Sequence, residues 1–126
     1  MSKISFLILT SISLTSCSRG VDVLVTENSD KTIFTMKKGS FLEFGELCFN
    51  RIEVLKGEDT VWSFYSPNNC IGLKSLTYGD VPNGFSEIVK SQKLISGREY
   101  LIVARGYGWY GEHKWISGAN KGLESR

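Results

Sequence analysis

From Val21 onward the chain alternates short β-branched and aromatic runs with clusters of glycine, asparagine, aspartate, serine and lysine. Val21, Val23 and Val25 alternate with Asp22, Leu24 and Thr26, and the cluster at 27–30 then breaks the run. The same pattern of apolar run and turn cluster predicts strands over 32–36, 52–55, 61–65, 73–78, 100–104 and 114–117. Residues 41–44 and 45–49 read as one interrupted strand or two short ones, and 85–94 as a weaker, edge-like strand. Turns fall at 37–40, 56–59, 66–69 and 79–84. No window longer than about ten residues in this region keeps a helical period. The expected domain, residues 21–118, is therefore all-β, with a polar tail at 119–126 that is expected to fray.

One local pattern narrows the expectation. In Leu94-Ile95-Ser96-Gly97-Arg98-Glu99-Tyr100, a leucine, a glycine turn and a tyrosine precede the apolar run Leu101-Ile102-Val103. This resembles the tyrosine corner of immunoglobulin-like and fibronectin type III-like sandwiches, in which the hydroxyl bonds back to the backbone ahead of the next-to-last strand. The resemblance implies a small β-sandwich of that kind, with Trp62 as a large core residue between its sheets.

The N-terminus has a different character. Lys3 precedes an apolar run over 4–14, which is too short for a permanent membrane helix. Leu14-Thr15-Ser16-Cys17 follows. This resembles the lipobox of bacterial lipoproteins, and the resemblance implies cleavage after a signal peptide at 1–16, acylation of Cys17 and a short tether at 17–20. Two or more acyl chains make a stable anchor where one binds only marginally. Ser18, where an aspartate would favour the inner membrane, implies the periplasmic face of the outer membrane.

The mature chain would have 126 − 16 = 110 residues, enough for one modest core. The full sequence is 41% hydrophobic, which argues against disorder, and its net charge of +2, which loss of Lys3 with the signal would lower to +1, comes without a basic run and gives no reason to expect a nucleic-acid partner. With Cys17 in the anchor, Cys48 and Cys70 remain. In an oxidising compartment an even pair is most simply a disulfide. His113 is the only histidine, so no multi-histidine metal site can be assembled, and in its polar stretch it reads as a solvent-facing or strand-edge residue. The carboxylates are scattered. No catalytic residue, metal, cofactor or small-molecule substrate is assigned.

The most unusual segment is Gly106-Tyr107-Gly108-Trp109-Tyr110-Gly111. It reads as a glycine-rich connection before the last strand. Tyr107, Trp109 and Tyr110 either cap the end of the core or face a protein partner, since tyrosine and tryptophan are enriched in binding surfaces. The short signal, the sandwich-like domain, Glu46-Leu47-Cys48-Phe49 and the Gly97-Arg98-Glu99-Tyr100 strand entry together resemble small enterobacterial periplasmic lipoproteins classed as type VI secretion immunity proteins. That resemblance implies a non-enzymatic binding protein that neutralises a toxin. An inhibitor of lysozyme and a structural lipoprotein of a secretion machine are the alternatives.

Overall fold

The computed structural model describes residues 19–39 and 45–118, and every regular element among them is a strand. These are β1 (Arg19–Asn28), β2 (Lys31–Lys38), β3 (Arg51–Lys56), β4 (Asp59–Tyr65), β5 (Ser75–Thr77), β6 (Ser86–Val89), β7 (Glu99–Gly106) and β8 (Trp109–Ile116). The signal segment 1–16, Cys17, the run at 41–44 and the tail at 119–126 lie outside the described residues.

The strands form one mixed sheet in the order β5-β2-β1-β8-β7-β3-β4-β6. All pairings are antiparallel except β1 with β8, which is parallel and confined to Arg19 opposite Trp109 and Gly20 opposite Tyr110. The sheet is strongly curled. In a flat sheet, β5 and β4 would stand about 29 Å apart, six strand spacings. Yet Tyr78, directly after β5, meets Trp62 of β4 with ring centroids 4.9 Å apart. Phe34 of β2 likewise reaches Trp115 of β8 at 5.2 Å.

Alternation explains which side faces inward. On β2 Thr32, Phe34 and Met36 are buried, while on β8 Trp109, Gly111 and Trp115 are. Trp62, Phe34, Phe49, Phe64, Ile52 and Ile102 are fully enclosed and form the centre of the core. Trp62 packs edge-on against Phe64, and its indole N–H donates to Glu87 at 3.0 Å, so burial leaves no polar atom of that side chain stranded. Tyr100 is 2% exposed and lies at the start of β7, the next-to-last strand; its hydroxyl accepts from the Ile95 amide at 2.8 Å.

Several strand expectations change. The predicted strand at 45–49 is not one. Only Phe49 pairs, in an isolated bridge to Ile71, with hydrogen bonds of 2.8 and 2.7 Å. The strands expected at 73–78 and 85–94 shrink to β5 and β6. β1 begins at Arg19, inside the expected tether, and β8 begins at Trp109, inside the expected loop. The Cys48–Cys70 disulfide is present, with Cα atoms 5.2 Å apart. It ties the irregular segment around Phe49 to the one around Ile71, where the bridge supplies only two backbone bonds.

Candidate functional site

The segment from Gly106 to Gly111 is a tight hairpin. Gly106 pairs with Trp109, so only Tyr107 and Gly108 form the turn, and Gly108 adopts φ 80°, which glycine takes without strain. Gly106 and Gly111 are strand residues, kept small by neighbouring backbone. A Cβ at Gly106 would collide with the Cys48 carbonyl oxygen, and one at Gly111 with that of Val21. The same crossing sets the Cys48–Cys70 disulfide beneath the turn, where the Tyr107 amide lies 3.5 Å from Cys70 Sγ.

The three aromatic residues of this hairpin separate. Trp109 is 2% exposed, and its indole N–H donates to the Glu46 carbonyl at 3.0 Å. It caps the core and fastens the 45–49 segment, so it is removed from the expected partner-facing set. The physical reason is alternation: β8 starts at Trp109, five residues before the expected start at 114, and the inward-facing Gly111 and Trp115 set the phase that turns Trp109 inward and Tyr110 outward. Tyr107 is 54% exposed at the tip, and Tyr110 lies on the outer face.

Strand register extends this outer face across the sheet. Tyr110 of β8 stands opposite Arg105 of β7, Arg105 opposite Arg51 of β3, and Arg51 opposite Tyr65 of β4. Directly opposed residues share a face, so the four side chains form a row about 14 Å wide, three strand spacings. Tyr65 and Tyr110 are both among the exposed large side chains. The Arg105 guanidinium lies 5.4 Å from the Tyr110 ring centroid, and Arg51 Nε contacts Glu53 at 3.3 Å. The Tyr110 hydroxyl donates to Glu112 at 2.9 Å, and that bond raises the Tyr110 pKa above its ordinary value.

This row does little for stability. Like charges directly opposite each other, as Arg51 and Arg105 are, disfavour the pairing. An exposed cation–π contact returns about 0.5–1 kcal/mol and a surface ion pair about 0–1 kcal/mol. The row's residue types are suited to recognition. Tyrosine and arginine are enriched among the residues that carry most energy at protein interfaces, and here Arg105, Tyr110 and Arg51 are each held by a neighbouring contact.

Sequence reasoning singled out Tyr107 and Tyr110 as candidates, and both are exposed; it did not single out Tyr65, Arg51 or Arg105. Alternation within Trp62-Ser63-Phe64-Tyr65 was a usable sign that Tyr65 points away from the core. Nothing local marks the two arginines, because only register brings them together. His113 lies on the inward side of β8, half-buried opposite Ile102, instead of facing solvent. Among the described residues no group of three histidine, cysteine, aspartate or glutamate side chains is placed to hold a metal, and no helix is long and apolar enough to cross a membrane. Comparison with protein-family models, curated proteins and solved structures finds no match for this chain.

Proposed function

We propose that this protein is a lipid-anchored binding protein at the periplasmic face of the outer membrane that neutralises a type VI secretion toxin by covering it. The observation that carries the reading is the exposed row Tyr110-Arg105-Arg51-Tyr65, with Tyr107 at the adjoining tip. A few aromatic and arginine anchors can supply most of an interface's affinity, and inhibition by covering needs affinity without turnover. The Cys17 lipobox supports the address, and the resemblance to immunity lipoproteins supports the kind of partner. For the architecture, we read the curled sheet as an immunoglobulin- or fibronectin-like sandwich whose two layers meet at the short β1–β8 seam; the Tyr100 hydroxyl bond supports that reading.

The test is kin competition. A strain lacking the chain is grown in contact with its wild-type parent. We expect the deletion strain to be killed, killing to stop when the parent's secretion apparatus is disabled, and protection to return with the wild-type chain but not with the R51E/R105E double variant. Survival of the deletion strain beside an armed parent overturns the proposal. The arginine pair also favours a second reading, an inhibitor of lysozyme, because such enzymes work with two carboxylates in one cleft. Loss of muramidase activity in a turbidity assay on adding the purified protein would select it.

A further inference from the structure

A cavity of about 610 Å³ opens at the other end of the sheet, between the β1–β2 turn, the segment after β6 and the end of β8. Its position is separate from the tyrosine–arginine row. From Tyr110 to Ser117 along β8 is about 24 Å at strand rise, and Tyr110 faces outward while Ser117 is buried.

Five polar or charged side chains are buried among the described residues, and three of them, Glu27, Thr32 and Ser117, line this one cavity. Glu27 is 7% exposed. Glu27 and Thr32 stand opposite each other in the β1–β2 register, so they share a wall. Among the described residues, the one donor on the Glu27 carboxylate is the Gly118 amide, at 2.8 Å to Oε1 and 3.1 Å to Oε2. A carboxylate has about four acceptor sites, and a buried charge is costly unless it is paired and hydrogen-bonded. Lys31 and Lys93 line the cavity too, but both are exposed, and neither comes within salt-bridge distance of Glu27.

We propose that this cavity binds an ammonium or guanidinium group, with Glu27 as its counter-charge and the Thr32 and Ser117 hydroxyls as neighbouring polar contacts. The volume is that of an ordinary small-ligand site. The cation can come from a free polar amine such as an amino sugar, or from a lysine or arginine side chain of a protein. The site is independent of the toxin-binding proposal.

Calorimetric titration of the purified protein tests it, with glucosamine and the N-acetylated, C-amidated peptides Gly-Lys-Gly and Gly-Arg-Gly as charged probes. N-acetylglucosamine and the equally capped Gly-norleucine-Gly and Gly-citrulline-Gly are their neutral counterparts. At least one charged probe is expected to bind, and its neutral counterpart to bind about tenfold more weakly or worse. Binding of glucosamine alone identifies a free amine as the source, and binding of a peptide alone identifies a basic side chain; both outcomes support the site. Glu27→Gln, which keeps a carbonyl acceptor for the Gly118 amide, is expected to fold and to lose the charged probe's affinity by a similar factor. Equal binding of charged and neutral probes, unchanged affinity in Glu27→Gln, or no binding by any charged probe overturns the proposal. The first comparison needs no variant, so it stands even if Glu27→Gln does not fold.

Discussion

Two tyrosines near the strand ends do opposite things with their hydroxyls, and each gives a measurable consequence. Tyr100 is enclosed, and its oxygen is the acceptor for the Ile95 amide. Tyr100→Phe keeps the ring against Trp115 but strands that amide, so it should lower stability by about 1 kcal/mol or somewhat more, seen as a fall in the urea midpoint with unchanged slope. Tyr78 instead donates, to the Gln92 carbonyl at 2.6 Å, and burial pushes its pKa up to about 12 from 10.0. Above pH 10 the unfolded chain loses this proton while the folded chain keeps it. The hydroxyl's contribution is therefore fully present below pH 10 and is lost as pH rises through the folded value of about 12. The urea midpoint of the wild type should fall across that window, and Tyr78→Phe should make the fall shallower.

At the scale of elements, the β7–β8 hairpin shows how far sequence carries and where it stops. Alternation located most of β1 to β3, while continuous apolar or aromatic runs located β4 and the core of β7, whose residues 61–64 and 102–104 are buried on both faces. It missed the first half of β8 because Gly106 and Gly111 look like loop residues. They are glycine for a long-range reason, the close passage of Cys48 and Val21, which no local window contains. For the same reason the two tyrosines of the hairpin were legible as candidates, while Arg51, Arg105 and Tyr65 became a site only through strand register. Trp109 joins the hairpin to the segment before Phe49. Trp109→Ala should cost about 3–5 kcal/mol, as loss of a buried aromatic does, so its melting temperature should drop sharply. Affinity for the partner should persist in molecules that remain folded. Breaking the neighbouring disulfide with the C48S/C70S pair should cost about 2–5 kcal/mol. That loss should equal the effect of a reductant on the wild type, and a reductant should leave the variant unaffected.

For the whole molecule, the short parallel seam fixes which end is which. Arg19 stands beside Trp109, so β1 enters the sheet at the end that carries the β7–β8 turn. Cys17 precedes Arg19 by two residues, a reach of roughly 7 Å at most. Acylation there would hold the turn, Tyr107 and the tyrosine–arginine row close to the bilayer and leave the Glu27 cavity at the far end. Side chains of a strand stand roughly perpendicular to the sheet, so with the proposed anchor in place the row would face sideways above the headgroups and stay open to a partner. Anchor and row can therefore be separated by variants. Cys17→Ser should leave an unprocessed precursor that no longer fractionates with the outer membrane. Arg105→Glu should fractionate like the wild type and melt within about 0.5 kcal/mol of it, as exposed substitutions usually do. Its affinity for the partner should nevertheless fall by about 2 kcal/mol or more, because an interface arginine has been replaced by the opposite charge. If Arg105→Glu instead keeps full affinity but releases the protein from anionic vesicles, the row faces lipid, and the partner-binding face lies elsewhere on the sheet.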